Sequence, residues 1–306
     1  MSLPKNVKEF ICDYPALSLI GNTSMIKLDL PMYSDSNSLY VKCEHLNPGG
    51  SIKDRPVLRM LVEAILSGEL TKDKVILDAT SGNAGISYAM IGAILGYKVK
   101  LIMPENASEE RKKRILNHGA SIVFTDPILG YDETLREVKK IYDQSPENYF
   151  YCDQYSNINN PLAHYETTAE EIIKQNPSIT HFIGGVGTGG TITGIGKKLK
   201  EYNPSIKICS INFDEWPGIE GLKPLGEGHM IPEIFDTKIT DQEVFVDIDD
   251  AYKMCKTLAN KGIFIGQSSG AYICGAQKIS ESLHNASIVT IFNDLGERYF
   301  STGIWD

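Results

Sequence analysis

The chain has 306 residues, of which 42% are hydrophobic, 23% charged and 9% aromatic. That makeup excludes collagen-like, low-complexity and disordered classes and suits a globular protein of about two domains that needs no disulfide or metal to fold. Thirty basic against 39 acidic side chains give a net charge of −9, which argues against nucleic-acid and membrane partners, since both need a basic face.

The opening residues, MSLPKNVKEFICDYP, lack the apolar core of a signal peptide. The longest apolar runs, such as that from Met90 to Leu95, are interrupted by glycine and too short for a bilayer. The six cysteines contain no CxxC pair, and the six histidines no HExxH. A reduced, cytoplasmic protein without a metal site is expected. The one dense basic cluster, Arg111 to Arg114, follows two glutamates and reads as the solvated face of a helix.

Residues 74–79 (KVILDA) read as a buried parallel strand, 84–95 as a helix closed by Gly96, and 98–103 as a strand stopped by Pro104. Ser108 can cap a helix running to His118, with Gly119 as its stop, before a strand at 121–125. This βαβαβ order predicts a doubly wound sheet. The pattern resumes with a strand at 180–183, a glycine loop, a helix at about 191–202 and a strand at 206–213. Short strands at 262–265 and 287–292 flank a helix from about Ala271. Two α/β units joined near Tyr151 are therefore expected. Periodicity leaves open which unit the first residues pack against.

Three loops carry chemistry. In Gly184 to Thr191 (GGVGTGGT), glycines between a strand and a helix can aim backbone N–H groups at an anion, helped by the positive helix end. Thr188 and Thr191 add hydroxyl donors. The same loop is G-x-G-x-x-G (Gly185, Gly187, Gly190) with Asp214 at the end of the next strand, so a nicotinamide-dependent oxidoreductase competes. The loop Thr80 to Gly85 (TSGNAG) offers hydroxyls, an amide and bare N–H groups to a small carboxylate or a ring oxygen, although Ser81 or Asn83 could simply cap the helix. In Asn47 to Arg55 (NPGGSIKDR), Lys53 opens a helix, where the positive end favours the neutral amine that a Schiff base needs. Its bland alternative is a solvated lysine beside Asp54.

Together these segments resemble the cysteine synthase family of pyridoxal-phosphate enzymes, which includes cystathionine β-synthase. The likeness runs from Ile20-Gly21-Asn22-Thr23 through NPGGSIKDR, TSGNAG, GVGTGGT and GQSSGA to Gly296-Glu297-Arg298-Tyr299. It implies the α/β fold of fold-type II, similar to the tryptophan synthase β-subunit, with two doubly wound domains of twisted, mainly parallel sheets. Residues 1–42 and 152–306 would form a larger cofactor-binding domain, and 43–151 a smaller mobile one.

By the same resemblance, Lys53 would bind pyridoxal 5'-phosphate covalently and act as the catalytic base. Asn83 would bond the ring hydroxyl oxygen, Gly187, Thr188, Gly189, Gly190 and Thr191 the phosphate, and Ser268 the pyridine nitrogen. Thr80, Ser81, Ala84, Gln154 and Gly218 would bind the amino acid. The resemblance implies β-replacement through an aminoacrylate. The first choice is cysteine synthase, using O-acetylserine or a related β-substituted alanine with sulfide. The second is a cysteine-consuming lyase that releases hydrogen sulfide. A non-catalytic paralogue is a remote alternative. A homodimer is expected, with serine acetyltransferase as a candidate partner.

Several residues depart from the family pattern. Ala84 stands for the usual threonine, Gln267 for an apolar residue and Ser24 for proline. Residues 216–236 are closer to the B-type cysteine synthases, and there Glu227, His229 and Asp236 are candidate specificity residues. The chain stops soon after the last motif, so neither a C-terminal regulatory module nor a haem-binding extension is expected.

Overall fold

The computed structural model describes residues 4–30, 36–214, 218–225 and 229–306. Ten strands among the described residues form two sheets. In chain order they begin with β1 (Met25–Lys27), β2 (Ser38–Cys43), β3 (Val75–Ala79), β4 (Val99–Pro104) and β5 (Ser121–Thr125). Then come β6 (Tyr149–Tyr151), β7 (His181–Gly184), β8 (Lys207–Asn212), β9 (Gln242–Phe245) and β10 (Ser287–Phe292). The larger sheet has the order β1-β2-β10-β7-β8-β9 and the smaller β5-β4-β3-β6. All neighbours run parallel except β1 and β2. Helices on both faces bury such strands, which is why SIVTIF in β10 is a nearly unbroken apolar run.

The helices are α1 (Lys5–Cys12), α2 (Asp54–Ser67), α3 (Asn83–Leu95), α4 (Glu109–Asn117) and α5 (Gly130–Gln144). They continue as α6 (Asn159–Ala163), α7 (Ala169–Gln175), α8 (Gly190–Tyr202), α9 (Ile248–Ala259) and α10 (Gln267–Ser280). Helix α3 is apolar all round, as a helix packed against β3, β4, α2 and α4 must be. It ends at Gly96, where a φ of 73° gives the left-handed cap that glycine adopts without strain. No helix among the described residues is long and apolar enough to cross a membrane.

The N-terminal segment is divided between the two cores. Strand β2 lies beside β10, with Ser38 opposite Ser287 and Cys43 opposite Phe292. Val7 and Ile11 of α1 instead join the core of the smaller sheet, with Leu61, Ile76 and Tyr88. The other core gathers Val41, Phe182, Ile195, Ile208 and Ile291 about the larger sheet.

Three local expectations are corrected. Ser108 precedes α4, but its side chain makes no capping bond; the Ser301 hydroxyl accepts from the Glu109 N–H instead. Residues 262–265 form no strand, and Ile265 makes only an isolated bridge to Leu295. Helix α10 begins at Gln267, so the GQSSGA motif is its first turn rather than a loop before it, with the extended Gly266 ahead of it.

Candidate active site

The carboxyl ends of β3, β4 and β7 face a cavity of about 670 Å³, the place where parallel sheets hold ligands. Lys53, Ser81, Asn83, Gln154 and Thr188 all line it.

Lys53 sits immediately before α2, with helical φ and ψ of −69° and −17°. Its approach is anchored to the end of β10, where the Ile52 N–H donates to the Asn293 carbonyl at 2.9 Å and Ser51 bridges Asp294. Burial pushes the Lys53 amine below its ordinary pKa, and the Asp294 carboxylate partly opposes that shift. The helix end adds to the preference for the neutral amine.

After β3, the cap of α3 is neither Ser81 nor Asn83. The Thr80 hydroxyl accepts from the N–H groups of Gly82 and Gly85, each at 3.0 Å. Ser81 is exposed at the cavity, and Ala84 lines it from the first turn of α3. The Asn83 amide nitrogen donates to Asp294 Oδ2 at 2.6 Å, while Arg298 donates to its oxygen.

Gln154 is held from three sides. Its N–H donates to Asp78 at 3.3 Å, its Nε2 to the Ala79 carbonyl at 2.7 Å, and its carbonyl accepts from Asn160 at 2.8 Å. Asp78 is fully enclosed, and burial pushes its carboxyl up to about 7 although the Tyr88 hydroxyl bonds it. Asn160 also donates to the Thr188 hydroxyl at 3.1 Å, joining the Gln154 segment to the glycine loop.

The glycines of that loop are required by close packing. A Cβ on Gly190 would lie 2.1 Å from Asn160 Oδ1, and one on Gly187 would lie 2.6 Å from the Gly221 carbonyl oxygen. Gly189, at φ 82°, turns the chain into α8. The Thr191 hydroxyl lies 3.2 Å from His164 Nε2, on a π-helical turn spanning His164–Thr168. Burial, then the charges of Arg55 and Lys53, push the His164 pKa down to about 3, so the ring is neutral at pH 7.

Ser268 is buried in the first turn of α10, and its Oγ accepts from Asn293 Nδ2 at 3.1 Å. His229 lines the cavity. Gly218 and Asp236 are not among the residues lining it; the Asp236 carboxylate faces Lys197 at 3.4 Å. Glu227 and Trp216 lie outside the described residues. Asp214 is exposed beyond β8. Among the described residues, no group of three or more His, Cys, Asp or Glu side chains could hold a metal ion.

The solvated reading of the basic cluster is wrong for Arg111. That residue is 3% exposed, pairs with Glu220 and lies 4.5 Å from the Tyr299 ring centroid. It shares the inward face of α4 with Ile115, four residues on. That i, i+4 pairing was a usable signal in the sequence, outweighed there by the run of charge. Lys223, a further candidate for biasing the leaving group or nucleophile, lines the cavity and pairs with Asp132 at 2.6 Å, whereas Asp294 went without a role.

The donor set fits pyridoxal phosphate. A half-buried lysine, a fixed amide donor and a glycine-built helix N-terminus lie around one cavity large enough for the cofactor and a small amino acid. A family model described as "Pyridoxal-phosphate dependent enzyme" matches residues 16–294. The chain is 43% identical over 303 residues to a cysteine synthase of Aquifex aeolicus, covering 94% of this chain and 91% of that one. It is 38% identical to a cysteine synthase B of Pseudomonas aeruginosa over 296 residues, covering 96% and 98%. A hydrogen sulfide-producing enzyme from Fusobacterium nucleatum superposes with a TM-score of 0.85 at 38% identity, covering 93% of this chain and 99% of that one.

Proposed function

The chain belongs to the family of pyridoxal-phosphate dependent enzymes, and we propose that it replaces the β-substituent of a small amino acid, making cysteine from O-acetylserine or a related β-substituted alanine and sulfide. The observation that carries this reading is the convergence of Lys53, Asn83 and the Thr188 loop on one cavity. When bound, the cofactor supplies the electron sink for a carbanion at Cα.

The protein's part is positioning and proton transfer. Lys53, which burial favours as the neutral, nucleophilic amine, would hold the cofactor covalently and, once released from it, would move the Cα proton. Gly187 to Thr191 hold the phosphate at the head of α8. Asn83 donates to the ring hydroxyl oxygen. Ser268, a neutral hydroxyl in the first turn of α10, would face the pyridine nitrogen and would bring no negative charge to it. Ser81, Ala84 and Gln154 bracket the amino acid's carboxylate, with only an N–H available at Ala84, and Thr80 lines the same cavity. Residues 43–151, with Val7 and Ile11 of α1 in their core, close over the larger sheet when that carboxylate binds and exclude water.

A second reading is cysteine breakdown with release of hydrogen sulfide, supported by the likeness to the Fusobacterium nucleatum enzyme. A homodimer, association with serine acetyltransferase and a cytoplasmic location belong to the first reading. The deciding experiment is a product screen with O-acetylserine plus sulfide, and with cysteine alone or with serine. Cysteine formation at least tenfold faster than sulfide release supports synthesis. The reverse ratio replaces it with breakdown, and no β-replacement with any pair ends both.

A further inference from the structure

Asp294, two residues beyond the end of β10, is fully buried, and none of the roles above uses its side chain. Its Oδ2 accepts from the Asn83 amide nitrogen at 2.6 Å and from the Tyr299 hydroxyl at 2.7 Å. Its Oδ1 is buried with no hydrogen-bond partner among the described residues. Burying a carboxylate this way is costly, so its neighbours matter.

A primary amide can sit in either of two flipped orientations. Asn83 has one that fits: a carboxylate faces its nitrogen, and the Arg298 guanidinium faces its oxygen. Flipping it would set oxygen against carboxylate and N–H against guanidinium. One N–H is left over, and Asn83 lines the cavity. The same strand end holds two other groups. Ser51, two residues before Lys53, bridges Asp294, and Asn293 donates to Ser268.

We propose that Asp294 is a positioning residue that locks the Asn83 amide as a donor toward the cofactor ring and supplies the negative charge that faces Lys53. This rests on Lys53 and Asn83 being cofactor contacts. The electrostatic half has a definite sign. The carboxylate favours the charged Lys53 amine against the effect of burial, so neutralising Asp294 makes the amine lose its proton at lower pH.

The test measures cofactor binding to apoprotein by visible absorbance, which needs no turnover. Asp294→Asn keeps the shape and neutralises the charge. It should shift the midpoint pH for covalent capture of the cofactor downward. Asp294→Ala should weaken cofactor binding at least tenfold in the native background but less than twofold in an Asn83→Ala background, because its effect runs through that amide. If Asp294→Ala does not fold, the Asp294→Asn pair of backgrounds gives the same comparison. An unchanged midpoint, or equal losses in both backgrounds, overturns the proposal while leaving the cofactor site intact. Normal cofactor binding by Asn83→Ala alone overturns the site reading, and this proposal with it.

Discussion

Lys223 and Asp132 on α5 both line the cavity and meet there, with Nζ 2.6 Å from Oδ1. On the same segment Glu220 meets Arg111 of α4. Both helices pack on the smaller sheet. The segment carrying Glu220 and Lys223 hangs from the larger one, through a 2.7 Å bond from the Lys223 N–H to the Val186 carbonyl and a 3.1 Å bond from the Glu220 N–H to Gln267 Oε1. The polar Gln267 thus has a structural use where the family pattern is apolar. Two ion pairs of opposite sense tie the rims together.

Breaking one tie should loosen closure without touching the cofactor. Lys223→Met should raise KM for the amino acid about three- to tenfold and leave cofactor absorbance unchanged. A double-mutant cycle with Asp132→Asn should give a coupling of about 1 kcal/mol, as for partly buried pairs. Unchanged KM with additive effects would make the tie idle.

Behind Lys53 lies a buried charge cluster. Arg55 contacts Glu44 at 2.6 Å and Glu171 at 2.7 Å, and Lys42 contacts Glu171 at 2.7 Å. Burial alone would raise the Glu44 pKa, but the Arg55 charge outweighs it and holds the carboxyl at about 2. Arg55→Met strands the buried Glu44, leaves Glu171 with Lys42 alone, and should cost about 3–5 kcal/mol of stability. Adding Glu44→Gln should recover part of that loss in urea denaturation; no recovery would mean that charge is not the cause.

Gly190 and Gly68 separate packing from backbone strain. A Cβ at Gly190 meets Asn160 at 2.1 Å, whereas Gly68, at φ 81°, has nothing within 4 Å. Gly68→Ala should cost about 1 kcal/mol from its left-handed conformation and spare cofactor affinity. Gly190→Ala should weaken the cofactor at least tenfold, and Asn160→Ala beside it should partly restore binding. Equal cofactor affinities in the two single variants would contradict the packing account.

His164 makes stability depend on acid. Its folded pKa of about 3 lies below the ordinary 6.5, so the unfolded chain takes up a proton that the folded one refuses. Its contribution is intact above pH 6.5 and is lost as pH falls toward 3. At about 1.4 kcal/mol per pH unit, some 2 kcal/mol should be lost by pH 5. His164→Gln should flatten that slope by close to one proton; an unchanged slope would assign it elsewhere.

The parallel strands and the three glycine- or lysine-bearing loops were legible because each depends on local pattern: unbroken apolar runs, or turn residues at a helix head. What was missed is held by distant partners. Asp294 meets Asn83 across 211 positions, and Arg111 meets Glu220 across 109. Near Arg111 in the chain only Ile115, four residues on, hints at an inward face, and the partners that hold the guanidinium, Glu220 and Tyr299, come from far along the chain. The start of α10 was misplaced because its first turn, QSSG, is rich in residues that also suit loops.

The most direct measurement is borohydride reduction of the cofactor-loaded protein, followed by mass spectrometry of its peptides. Reduction fixes the cofactor to whichever amine holds it. A pyridoxyl label on the peptide containing Lys53, absent in Lys53→Ala while that variant still binds the cofactor through the Gly187 to Thr191 loop, is the expected result. A label on Lys42 or Lys223, or near-normal turnover by Lys53→Ala, would contradict it.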